Sequence, residues 1–82
     1  MRLTVEQCRA ARALLDWTAA DLAHAGDLGV MTVKRFEGGQ AIAASSVDKI
    51  VGALRNAGVV LISDLEHSTG GGRGVRLENP GP

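Results

Sequence analysis

The chain has 82 residues and a mass of 8.5 kDa, and its nine basic and nine acidic residues give a formal net charge of zero. This length is too short for two full domains and for most enzyme scaffolds, which run to about 100–200 residues per domain. The single cysteine, Cys8, excludes an intramolecular disulfide framework and a multi-cysteine zinc site. Neutral charge argues against a general nucleic-acid coat protein, but it leaves room for a local basic face.

The apolar run over residues 58–62 is far shorter than the roughly 18 residues that a membrane span needs, so we expect no membrane contact. A free thiol without a signal-like segment favours a reducing compartment, and we therefore expect a cytoplasmic protein. A domain this small buries only about 60–65% of the surface of its unfolded chain, so association with a partner would help it.

The first predicted helix runs from Val5 to Leu15, where good helix formers dominate. Thr4 followed three residues later by Gln7 predicts a capping box at its start. Apolar residues recur at spacings of three and four, which predicts one buried stripe made of Val5, Cys8, Ala11, Leu14 and Leu15.

Two shorter helices follow, over Ala19 to Ala25 and Val30 to Glu37, the first with a capping signal from Thr18 and Asp21. Between them, Gly26 and Gly29 predict a tight corner, because both glycines allow the positive φ values that such a corner requires. The pair Gly38-Gly39 ends the third helix.

A fourth helix is predicted from Ala44 to Ala57, and Gly58 ends it in the left-handed conformation. The β-branched run Val59 to Ile62 predicts a strand, and Val75 to Leu77 a second short one. The expected fold is therefore mainly α, a compact bundle of four short helices with a C-terminal β-strand extension. Residues 1–58 form its helical domain, 59–77 a β segment, and 78–82 a flexible tail.

Residues 18–39 have the spacing of a helix-turn-helix. A small residue, Ala23, stands where the second helix must cross the first, and a glycine-containing turn joins the two helices. The second helix then hides Val33 and Phe36 and presents its other face to a DNA major groove.

Over about residues 5–57 the chain resembles the Cro/C1-type (Xre) family of phage and bacterial repressors, which have the lambda-repressor-like fold. The residues that carry the resemblance are Leu15-Asp16-Trp17-Thr18, Asp21-Leu22-Ala23, the run from Thr32 to Gly39, and the run from Val47 to Leu54. The resemblance implies a sequence-specific DNA-binding regulator, a dimeric repressor of its own or neighbouring genes of mobile-element type. It also implies an ion pair between Arg12 and Glu37, because the family bridges these two positions.

Arg35 is the strongest candidate for reading a base, since arginine binds guanine O6 and N7 with two hydrogen bonds; a phosphate contact is the alternative. Val30 and Met31 are candidates for contact with thymine methyl groups. Candidate phosphate contacts, which position the protein on DNA, are Arg9, Thr18, Thr32, Lys34 and Gln40. The chain departs from the family pattern in two places. Ala19 replaces a frequent glutamine, and the turn has Asp27, Leu28 and Gly29 where the family has glycine, an apolar residue and serine, which brings a negative charge near DNA.

Four consecutive apolar residues, Val59, Val60, Leu61 and Ile62, exceed what a half-exposed hairpin needs. We expect them to form a β-sheet between two subunits, which would place two recognition helices on a palindromic operator in double-stranded DNA. The alternative is a hairpin within one chain, folded over the helices.

A second function remains open, namely a protein-interaction module, such as an antitoxin or anti-activator, that acts through the C-terminal segment. An enzyme is not expected, because Ser63, Asp64 and His67 fall within five positions of one loop and a catalytic triad needs separate elements. The spacing of the histidines and Cys8 predicts no metal site, and no cofactor or small-molecule ligand is expected.

Overall fold

The computed structural model describes residues 3–62 and 74–78. Its elements, in chain order, are α1 (Val5–Leu15), α2 (Ala19–Ala25), α3 (Val30–Glu37), α4 (Ala44–Asn56), β1 (Val59–Ile62) and β2 (Gly74–Leu77). All six predicted elements are present; α4 ends one residue earlier than expected, and β2 begins one residue earlier. The group of Ser63, Asp64 and His67 and the predicted tail beyond Glu78 lie outside the described residues.

The first two helices begin with complete capping boxes, as predicted. The Thr4 hydroxyl accepts from the Gln7 amide at 3.1 Å, and the Gln7 side-chain oxygen accepts from the Thr4 amide at 3.0 Å. The same reciprocal bonds join Thr18 and Asp21 at 3.1 and 2.8 Å. Two backbone donors that would otherwise lack partners are thereby satisfied at each helix start.

The corner between α2 and α3 is built differently from the prediction. Gly26 and Gly29 have φ values of −93° and −74°, whereas Asp27 takes the left-handed conformation with φ 56°. Gly26 is needed for close approach instead, because an added Cβ would lie 3.3 Å from the Lys49 carbonyl oxygen of α4. Gly58 does take the expected positive φ, at 96°.

The core lies between the helices and is filled by side chains from all four, the largest of them Leu22, Ile50, Leu54 and Val33. Ala23 is buried, as the close packing of α2 on α3 requires. The prediction for α1 was wrong at one position, because Leu14 is 43% exposed while the polar Gln7 is buried. At 100° per residue the buried face of α1 is centred on Cys8 and Ala11, which leaves Leu14 at its margin.

The two strands pair antiparallel within one chain, with Val59 opposite Leu77 and Ile62 opposite Gly74. This is the alternative arrangement, a hairpin within one chain, and pairing between subunits stays a prediction. Val59 and Leu61 are buried in the protein's own core, whereas Val60 and Ile62 are half-buried. The continuous apolar run is therefore explained largely by packing of β1 against α4 and pairing with β2.

The hairpin is attached to α1 by the amide group of Gln7. Its Nε2 donates to the carbonyl oxygens of Ile62 at 2.9 Å and Gly74 at 3.1 Å, the facing residues at which β1 ends and β2 begins. One side chain thus closes the capping box of α1 and holds both strands, which explains its burial. None of the helices described here is long and apolar enough to cross a membrane.

Candidate nucleic-acid interface

Helix α3 has one buried face and one exposed face. Val33 is fully buried, and Phe36 packs against the core. On the opposite face Met31 is 55% exposed, and Lys34 and Arg35 are exposed. The arrangement leaves two cations and a flexible apolar side chain on a surface that a partner can reach.

The start of α3 has no side-chain cap. Its N-cap residue is Gly29, and the first turn contains no acidic residue. The first turn therefore has no side-chain acceptor for its amides and no carboxylate to offset the positive end of the helix dipole, a setting that favours anions. Val30 and Thr32, in this first turn, are each half-buried.

The end of α3 is held by α1 through the predicted ion pair, which is present in the structure. Arg12 donates from Nε to Glu37 Oε2 at 2.8 Å and from Nη2 to Oε1 at 2.7 Å, so the pair is bidentate. The third guanidinium nitrogen, Nη1, donates to the Trp17 carbonyl oxygen at 3.0 Å, at the corner between α1 and α2. One arginine of α1 therefore contacts both the corner between α1 and α2 and the last residue of α3.

Two further residues of α1 contact Glu37. The Cys8 thiol donates to Oε2 at 3.0 Å, and Arg9 Nη2 donates to the Glu37 backbone carbonyl at 3.1 Å. We call Cys8, Arg9, Arg12 and Glu37 the α1–α3 clamp. Sequence reasoning missed Cys8 as part of it; the only signal was the four-residue spacing that places Cys8 and Arg12 on one side of the helix.

Burial alone would raise the pKa of the Glu37 carboxyl, but the hydrogen bonds from Arg12 and Cys8 and the charge of Arg12 outweigh it and leave that pKa lowered. The hydrogen bond to Glu37 in turn raises the pKa of Arg12. Both groups are therefore charged at neutral pH, and the carboxylate is neutralised inside the clamp.

The candidate phosphate contacts do not all have the same freedom. Lys34 and Gln40 are exposed near the end of α3, and the backbone N–H of Gln40 donates to the Arg35 backbone carbonyl at 2.9 Å. Arg9 is exposed, but its Nη2 is engaged by Glu37. The Thr18 hydroxyl accepts from the Asp21 amide, which leaves its hydrogen able to donate.

The cations Arg9, Lys34 and Arg35 are thus associated with the second half of α3, where the acid Glu37 is neutralised by Arg12. Exposed cations beside a neutralised acid suit a polyanionic partner. Over residues 3–62 and 74–78, no three His, Cys, Asp or Glu side chains come together as metal ligands.

No protein-family model matches the chain, and no curated protein matches it.

Proposed function

We propose that this protein is a sequence-specific DNA-binding regulator of transcription, in which α2, the corner at residues 26–29 and α3 act as a helix-turn-helix. In this proposal α3 is the recognition helix, and the protein acts as a dimeric repressor of its own or neighbouring genes. The resemblance of residues 5–57 to the Cro/C1-type family is one support for it, and the α1–α3 clamp is the other.

The single observation that carries the proposal is the bidentate Arg12–Glu37 pair at the end of α3. A planar arginine–carboxylate pair with Glu37 only 7% exposed holds the orientation of one helix against another. It also neutralises the acid that would otherwise repel phosphates beside Lys34 and Arg35. Both effects serve a helix that must enter a DNA groove at a set angle.

In this proposal Arg35 binds guanine through O6 and N7, and Met31 and Val30 contact thymine methyl groups. Lys34, Gln40, Thr32, Thr18 and Arg9 bind phosphates. Because the chain has no net charge, nonspecific attraction to DNA is weak, and affinity depends on base contacts and on two half-sites.

Dimerisation in this proposal uses β1, the segment of residues 59–62. Val59 and Leu61 are buried in the core of the chain itself, so the half-buried side chains of Val60 and Ile62 are the part of β1 that a second copy can reach. A dimer on a palindromic operator must set two recognition helices about 34 Å apart, one turn of DNA.

The test is footprinting on DNA that flanks the protein's own gene, combined with a mass measurement in solution. We expect a symmetric footprint from a species near 17 kDa, twice the 8.5 kDa of one chain. Arg35→Ala should weaken operator binding by about 1–3 kcal/mol. The matched control is Arg76→Ala, which removes an exposed arginine from β2 and should leave operator binding nearly unchanged. Equal losses in both variants, or no protected DNA, would contradict the proposal.

The second candidate is a protein-interaction module that acts through the C-terminal segment, such as an antitoxin or anti-activator. The half-buried Val60 and Ile62 favour it, because they remain partly accessible after the hairpin has formed. Val60→Asp separates the two functions. If Val60→Asp abolishes regulation in cells and Arg35→Ala does not, the interaction module is the correct function.

A further inference from the structure

We propose that Cys8 is a positioning residue of the recognition helix: its thiol, donating to Glu37 Oε2, sets the orientation of the Glu37 carboxylate and through it that of α3. The consequence for DNA binding rests on the proposed function. The effect on Glu37 itself does not, and the two can be measured separately.

Two residues, Cys8 and Arg12, donate hydrogen bonds to the Glu37 carboxylate, and they do so in different ways. Oε2 accepts from both Cys8 and Arg12, whereas Oε1 accepts from Arg12. Arg12 supplies the opposite charge, but it does so from the end of a long side chain that is 22% exposed. Cys8 is 0% exposed, and its sulfur is one rotatable bond from the backbone. The thiol is therefore the donor with less freedom to move relative to α1.

The thiol is also kept in the form that donates. Burial, followed by the hydrogen bond to Glu37, raises the pKa of Cys8 far above its ordinary value. A thiolate at this distance from a carboxylate would repel it. The neutral S–H group instead supplies a second donor to Oε2 without adding charge.

The residues that contact the Glu37 carboxyl and its backbone carbonyl lie on α1. Among the residues that the structure describes, the groups that act on its carboxyl are Cys8, Arg9 and Arg12, all on α1. Arg9 holds the backbone carbonyl of the same residue. Removing the thiol therefore leaves the charge and the bidentate pair of the clamp intact, and it takes from Oε2 the donor that is fixed closest to the α1 backbone.

The first measurement is the pKa of the Glu37 carboxyl, followed by carbon-13 NMR in the full chain without DNA. We expect Cys8→Ala to raise that pKa, because a hydrogen bond to the ionised form is lost. Cys8→Ser restores a donor and should return the pKa toward the wild-type value. Ala53→Gly, at a buried position of α4, is the control for general destabilisation and should leave the Glu37 pKa unchanged.

The second measurement is affinity for the footprinted operator. Cys8→Ala should weaken binding by about three- to tenfold, the range that one weak hydrogen bond supplies, and Cys8→Ser should recover it to within about twofold. If Cys8→Ala does not fold, Cys8→Val, which fills the space without a donor, takes its place.

The proposal is wrong if the Glu37 pKa is the same with and without the thiol, or if Ala53→Gly weakens DNA binding as much as Cys8→Ala at equal stability. If the wild-type protein binds no operator, the proposed function fails on its own. The Glu37 pKa and the hydrogen exchange of the Gly38 and Gly39 amides, faster in Cys8→Ala and restored in Cys8→Ser, then decide whether Cys8 positions the end of α3.

Discussion

Helices α1 and α2 differ from α3 in the way that the chain holds them. The first two begin with complete capping boxes, made by residues three positions apart. Helix α3, whose N-cap residue is Gly29, has no side-chain cap, and its last residue, Glu37, is held by α1 residues 25 to 29 positions away. The first two helices are stabilised locally at their starts, and α3 is stabilised by tertiary contacts at its end.

This difference suits a helix that must present its start and one face to a ligand. A side-chain cap on α3 would put an oxygen beside the DNA that we propose as its ligand, whereas a clamp at the far end leaves the start of the helix without a side-chain acceptor. The difference also predicts which substitutions lower the stability most. Breaking the clamp leaves a poorly solvated charge without its partner, and breaking a cap does not.

The largest effect is expected from Glu37→Ala, which removes the acceptor of the clamp. Arg12, with only part of its side chain exposed, then loses its partner, and the Cys8 thiol loses its acceptor. We expect the free energy of unfolding, measured with urea, to fall by about 3 kcal/mol.

The control for that change is Glu6→Gln, which neutralises an exposed acid in the first turn of α1. It should alter stability by less than about 0.5 kcal/mol. A loss below about 1 kcal/mol for Glu37→Ala would mean that the tertiary contacts do not hold α3.

Acidification should weaken the same contacts more gently, since the protonated carboxyl keeps some hydrogen bonds. The pKa of Glu37 is lowered in the folded protein, so its contribution to stability is fully present above the unfolded pKa, near 4.5, and is lost as the pH falls through the folded value. Between about pH 5 and pH 2, wild-type stability should therefore fall more steeply than that of Glu37→Gln. Parallel curves in thermal unfolding would show that Glu37 is not responsible.

The capping boxes of α1 and α2 could be predicted from the sequence, and much of the α1–α3 clamp could not. Capping boxes and helix ends depend on neighbouring residues, so Thr4, Thr18 and Gly58 are recognisable without a structure. The partners of Glu37 are remote in sequence: Arg12 was expected because of the family resemblance, and Cys8 could not be expected from its residue type. The burial of Gln7 was missed for the same reason, since it depends on where the hairpin packs.

The smaller effects concern the helix starts. Thr18→Ala removes the hydroxyl that accepts from the Asp21 amide, and it should lower the free energy of unfolding by about 1 kcal/mol. Thr32→Ala is the matched control on α3, where threonine caps nothing, and it should change stability by less than about 0.5 kcal/mol. Equal losses in urea unfolding would remove the distinction between the capped and uncapped helices.

A missing cap can also be added. Ala43 is the N-cap residue of α4 and makes no side-chain hydrogen bond, although its φ and ψ of −59° and 143° are those of an extended N-cap. Ala43→Ser should raise the free energy of unfolding by about 0.5–1 kcal/mol, because a hydroxyl can then accept from an amide of the first turn. Ala41→Ser, at an exposed position of the preceding loop, should give no such gain.

The smallest effect is expected from Asp27→Asn, in the corner that leads into α3. Asp27 is in the left-handed conformation one residue beyond the C-cap of α2. Its negative charge lies near the negative end of the α2 dipole, which repels it. Asparagine adopts this conformation readily and carries no charge, so stability should rise by about 0.3–0.5 kcal/mol. Asp48→Asn, which removes an exposed charge from α4, should not produce this gain.

If the corner lies against DNA, Asp27→Asn should also tighten operator binding by more than Asp48→Asn does. A filter-binding comparison of the two variants at one salt concentration measures this difference directly.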